Sequence, residues 1–232
     1  MKQLLIAALF FSALPPVADD PGRINAYVTP YYDSAGPRIR IGKFGAGLAT
    51  TDDSKFVATI EAMKRQWSRL NFVELYVAAI QLYDRGYRNE ATYWFYSAQY
   101  RGRLFALLVD QNKMGSIGSP GFELYHAQGA FFELVGPDIN GYAFGDVDNV
   151  VRIVKRVQQA NRAAPDMRAI YPGIAFSAKA EWPKKNAELN AGLGKLADSL
   201  TGSKSEIGAQ RTQNGTQARF ARLTSKPFPG GL

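Results

Sequence analysis

The sequence contains no cysteine and a single histidine, His126. Without thiols there is no disulfide framework, no thiolate nucleophile and no cysteine-based zinc site. With one imidazole a histidine-rich metal site is excluded, and a Ser-His-Asp triad would have to be built on His126 alone. Acidic residues are also scarce: 20 Asp and Glu stand against 28 Lys and Arg, a formal charge of +8 over 232 residues. Such a balance suits another protein with an acidic surface or an anionic envelope component, and it carries no information about fold. The apolar run that begins at Leu4 and continues through Phe11 to Leu14 is stopped by Pro15-Pro16 and Asp19-Asp20. It is too short for the about 20 residues that a membrane-spanning helix requires.

That run, preceded by Met1-Lys2 and followed by Ala18, has the pattern of a cleavable bacterial secretory signal over residues 1–18. It implies a periplasmic or secreted protein, for which nucleic acid is not an expected partner, and no transmembrane span once the leader is removed. Residues 19–201 are expected to form one mainly helical domain. The segment 202–232 is polar, basic and rich in Ser, Thr, Gln and Gly, and is expected to be a partly disordered tail. No motif for a cofactor is present.

The fold class is mainly α: a repeat-like bundle of helical hairpins with a small N-terminal β-hairpin. The β-hairpin is expected between Asn25 and Ala49, where Ala26-Tyr27-Val28 and Ile39-Arg40-Ile41 flank the turn residues Asp33 to Pro37. Phe56, Ile60, Met63 and Trp67 fall on one face of a helix over about 54–67, begun by Thr51-Asp52-Asp53-Ser54. A largely buried helix follows, with Phe72, Tyr76, Ala79, Ile80 and Tyr83 on one face, ended by Gly86; the next runs from about Asn89 to Val109. The two are expected to pack antiparallel. Further on, the pattern predicts a helix over 122–135 ended by Gly136-Pro137, a loop over 138–145, and a long helix capped by Asp146 with a stripe of valines. A possible strand over 169–175 and a helix over 184–200 complete the pass.

The spacing Ala79-x2-Leu82-Tyr83-x2-Gly86, then Ala91-x2-Trp94-Phe95-x2-Ala98-x3-Gly102, resembles one helical repeat of the tetratricopeptide superfamily, and more closely its Sel-like branch. The likeness covers residues 75–106, with no second copy elsewhere. It implies a hairpin in which large residues of one helix lie over small residues of the other, and a protein that binds other proteins.

Two groups of residues are candidates for function. Glu123 and His126, three apart on the expected helix, share a face and could form an acid/base pair for an envelope enzyme, with the Gly-rich stretch from Gly115 to Gly121 closing over substrate. An ordinary helix-face hydrogen bond accounts for the same spacing, and the position of His126 relative to the largest cavity separates the two. Tyr93, Trp94, Tyr96, Tyr100, Arg101 and Arg103 crowd one helix. Exposed, they have the composition of a binding hot spot; covered on both faces, they are core. Asp138, Asn140, Asp146 and Asp148 depart from the spacing of a calcium loop and are read as a turn and a helix cap. The reading that accommodates most of this is a non-catalytic exported protein-binding module, of the scaffold or the inhibitor and immunity type.

Overall fold

A helix whose residues are apolar on every side is stable only when other elements surround it. The stretch from Arg88 to Leu108 is enclosed in that way from Glu90 to Gly102, its few polar residues included, and the chain folds around it. The computed structural model describes residues 20–24 and 42–231; the expected leader and the expected strands of the β-hairpin lie outside the described residues. The structure is mainly helical. In chain order its helices are α1 (Gly45–Leu48), α2 (Asp53–Arg65), α3 (Phe72–Asp84), α4 (Arg88–Leu108), α5 (Pro120–Ala143), α6 (Val147–Ala160), α7 (Met167–Ile170), α8 (Trp182–Gly202), α9 (Lys204–Gln213) and α10 (Thr216–Phe220).

Local chemistry sets where the early helices begin and end. Asp52 caps α2 by accepting from the Lys55 amide at 3.1 Å. Asn71 and Glu74 form a reciprocal capping box at the start of α3, each side chain accepting from the other's backbone N–H at 2.9 Å. At its end Gly86 takes a left-handed conformation, with φ of 87°. The Tyr87 amide donates back to the Leu82 carbonyl at 2.9 Å and closes the terminus. The turn between α3 and α4 is therefore tight, and the two helices pack against each other as the periodicity predicts.

Around α4 the partners are identifiable ring by ring. Trp67 stacks on Tyr93 and meets Trp94 edge-on, with centroids 5.5 and 4.9 Å apart. Tyr76 of α3 meets Phe95 at 5.9 Å, and Phe132 of α5 lies over the same ring at 6.3 Å. Tyr100 points to the opposite side, where its hydroxyl donates to Asn186 Oδ1 of α8 at 2.8 Å. Asn186 in turn donates to the carbonyls of Asn161 and Arg162 after α6, so one buried polar chain ties α4, α6 and α8 together.

Three expectations are corrected. The helix expected to stop at Gly136-Pro137 continues to Ala143, so the loop expected over 138–145 is reduced to the turn that follows the helix. Pro137 is exposed, which places its missing N–H on the solvent side, while Val135, Ile139 and Ala143 keep a buried stripe on the other. Residues 169–175 do not form a strand. Residues 167–170 are a single helical turn, and the extended pairing is one isolated bridge between Val109 and Phe176. The tail beyond residue 201 is ordered as α9 and α10, and burial of Ile207, Phe220 and Phe228 anchors it. The Lys226 amide donates to the Gly86 carbonyl at 2.8 Å, and Phe228 meets Tyr87 at 5.2 Å, so the chain returns to the α3–α4 turn.

Truncation of a fully buried ring in a close-packed interior costs about 3–5 kcal/mol. Phe95→Ala is expected to lower the unfolding free energy by about that amount, read by equilibrium denaturation with an unchanged helical spectrum at zero denaturant. A loss below about 1 kcal/mol would mean that Phe95 is not enclosed as described.

Candidate functional site

The aromatic group singled out from sequence is interior. Tyr93, Trp94, Tyr96, Tyr100 and Arg101 are all buried, and Arg103 alone of the six is exposed. The expected hot spot is therefore the core of the fold: five aromatic residues within eight positions wrap more of the helix than one face, and the faces that carry them are covered. The side chains are engaged accordingly. Trp94 Nε1 donates to Glu90 Oε1 at 3.1 Å, Tyr96 donates to Asn140 Oδ1 at 3.0 Å, and Arg101 Nη1 donates to the Leu70 carbonyl at 2.5 Å. Burial pushes the Tyr96 hydroxyl up and holds the Arg101 guanidinium below its ordinary value. Glu90, itself buried, is neutralised by Lys64 at 3.0 Å.

Glu123 and His126 sit on the first turns of α5 and do not form a hydrogen-bonded pair. Glu123 Oε1 accepts from the Gly118 amide at 2.8 Å, which folds the preceding loop onto the helix start. Ser119 adds to this by donating to the Met114 carbonyl at 2.8 Å. His126 is exposed, and its ring lies against Phe122 at 4.4 Å and edge-on to Tyr125 at 5.4 Å. Ile117, in the same tied-down loop, is 61% exposed, and Leu107 on the last turn of α4 is 47% exposed. They are the exposed large hydrophobics among the described residues.

A cavity of about 320 Å3 lies elsewhere, between the end of α5, the start of α6 and the α9–α10 segment. Its lining includes Tyr142 of α5, some 19 residues from Glu123, which at 1.5 Å per residue is about 30 Å along the helix. Glu123 and His126 therefore do not face it. The cavity wall is a hydrogen-bonded set: Asn89 Oδ1 accepts from the Tyr142 hydroxyl at 3.2 Å and from Asn149 Nδ2 at 3.1 Å, and Arg152 Nη2 donates to Asn149 Oδ1 at 3.4 Å. Asp146, at the rim, accepts from the Asn149 amide at 3.0 Å and caps α6 as the sequence predicts. Arg211 enters from α9. Asp146 apart, which the sequence marks as a helix cap, nothing in the sequence assigns these residues to a common site. They come from four separate segments, and no local pattern joins them. Among the described residues no group of three or more carboxylate or imidazole side chains is placed to hold a metal ion, and no helix is long and apolar enough to cross a membrane.

No family model matches the sequence, and no solved structure matches it. The chain is 24% identical over 148 residues to a protein of Haemophilus influenzae that is described only as uncharacterised. The likeness covers 62% of this chain and 55% of that protein, so the chain spans about half the length of its relative.

The burial of Arg101 and the exposure of its neighbour Arg103 give opposite expectations for the same substitution. Arg101→Ala is expected to destabilise by about 2–4 kcal/mol, through a cavity and a carbonyl left without its donor. Arg103→Ala should stay within about 0.5 kcal/mol of the unsubstituted protein. Equal effects in urea denaturation would contradict the placement of α4.

Proposed function

We propose that the chain is a non-catalytic binding module of the bacterial cell envelope, exported by its N-terminal leader, that holds another protein against the loop after α4 and the first turns of α5. One observation carries this reading: Ile117, 61% exposed, stands in a loop fixed by hydrogen bonds, in the same short stretch as the contacting rings of Phe122, Tyr125 and His126. Aromatic and branched side chains on a rigid helix start lose little entropy when a partner covers them, and such residues carry most of the energy of protein interfaces. The chemistry of the stretch supports binding more than catalysis, since Glu123 is committed to the Gly118 amide and His126 to its ring neighbours. The helical hairpin of α3 and α4 and its likeness to a Sel-like repeat support the same reading, as does the basic charge of the chain for a partner of acidic character. The leader pattern supports export.

Capture from a bacterial envelope extract on the immobilised chain tests this. The chain is expected to retain a partner that Ile117→Asp loses by at least about tenfold with no fall in Tm, while Tyr125→Ala, whose ring also packs against the core, weakens capture at temperatures below its own Tm. Undiminished capture by Ile117→Asp, or no specific partner on the unsubstituted chain, would refute it.

A further inference from the structure

A buried guanidinium is costly unless its N–H groups find acceptors and its charge finds a counter-charge. Arg211 is 7% exposed. Its Nη1 donates to the Gly141 carbonyl at 2.7 Å and its Nε donates to Gln217 Oε1 at 3.2 Å, both neutral acceptors. Among the described residues no carboxylate forms an ion pair with it. Burial holds its guanidinium below the ordinary value, with no acidic neighbour opposing that shift. Arg101 also lacks an acid, but it is sealed in the interior against Leu70, whereas Arg211 lines the cavity. The nitrogen left over, Nη2, lies under Gly145: a Cβ at that position would stand 3.6 Å from it and 3.1 Å from the Tyr142 carbonyl. A glycine there keeps the space beside that nitrogen free of a side chain.

The rest of the wall matches. Arg152 spends one N–H group on Asn149, and the Asn89 amide nitrogen has no acceptor among the described residues. Asp146 is the carboxylate of the lining, so two arginines against one aspartate leave the cavity one positive charge in excess. A monoanion balances that excess, where a dianion would overshoot it. The two-oxygen face of a carboxylate fits the guanidinium fork, and Phe220 and Leu223 give an apolar wall for a carbon body. The volume, about 320 Å3, is at the small end for molecular ligands. We propose that this cavity binds a small organic monocarboxylate, with Arg211 Nη2 as its counter-charge and Arg152 closing over the same group.

The test titrates the full chain with sodium propionate, and in separate arms with inorganic phosphate and with sodium chloride at matched ionic strength, following Tm and the Nε–H signals of arginine by NMR. Propionate is expected to raise Tm saturably and to shift one buried arginine signal, while chloride does neither. Arg211 also holds Gly141, so its substitution disturbs the framework itself; the test variants are Arg152→Gln, and Gly145→Ala, whose Cβ would stand beside Nη2 and also press on the Tyr142 carbonyl at 3.1 Å, each with the Tm of the free chain measured as its control. Each is expected to weaken propionate binding at least tenfold with helicity unchanged. No saturable effect of propionate beyond that of chloride, equal binding by both variants, or tighter binding of phosphate than of propionate would each overturn the assignment.

Discussion

The structure depends on one constraint: between Glu90 and Gly102, α4 is covered on every face. Its buried residues run without a break from Glu90 to Gly102, including the side chains of Trp94, Phe95 and Ala98 at zero exposure. A helix of that kind must be surrounded, and the order of the chain follows from the surrounding. The α2–α3 segment covers one side with Trp67 and Tyr76, α5 a second with Phe132, and α6 and α8 the remainder through Tyr100 and Arg156, whose guanidinium lies 4.7 Å over Tyr93. Burying that much aromatic surface contributes the hydrophobic term. Most of the polar groups carried inside with it find partners, Glu90 Oε1 in Lys64 and Trp94, Tyr96 in Asn140 and Tyr100 in Asn186, while Glu90 Oε2, Ser97 Oγ and Arg101 Nε have none among the described residues.

Enclosing α4 also determines where the surface becomes available for binding. Because the long helix is consumed by the interior, the exposed apolar residues are displaced to its end and to the loop beyond, at Leu107 and Ile117. The polar cavity arises at the other end of α5, where Gly141 lets Phe220 of α10 approach; a Cβ there would stand 2.5 Å from the Phe220 ring. That close approach brings the tail, and with it Arg211, against α5 and α6. The two candidate sites are thus products of the same packing, one where the core runs out of helix and one where a glycine admits the tail.

Much of the framework is legible in the sequence because strong local rules coincide there. The apolar period from Phe56 to Met63, the left-handed Gly86 and the Asp146 cap each act within a few residues and each appears as expected, whereas the box of Asn71 and Glu74 emerges only in the structure. Where the reading departs from the structure, tertiary packing overrides a local signal. Pro137 should end a helix, yet α5 continues because its buried stripe resumes at Ile139 and the proline faces solvent. The polar tail should be loose, yet Phe220 and Phe228 find pockets made by distant glycine and tyrosine residues. The candidate site was the least legible part. Whether Tyr93 to Arg103 are core or surface depends on how many neighbours cover one helix, which no single stretch encodes. Asn89, Tyr142, Asn149 and Arg211 meet only after four segments have packed.

Amide hydrogen exchange on the native protein bears most directly on the enclosure of α4. The amides from Trp94 to Leu104 are expected to be among the slowest in the molecule, opening only with global unfolding, while those of α9 and α10 exchange through local opening at lower free energy. Exchange in α4 as fast as in α9, with α3 or α5 protected alone, would show that the helix is not the enclosed centre of the fold.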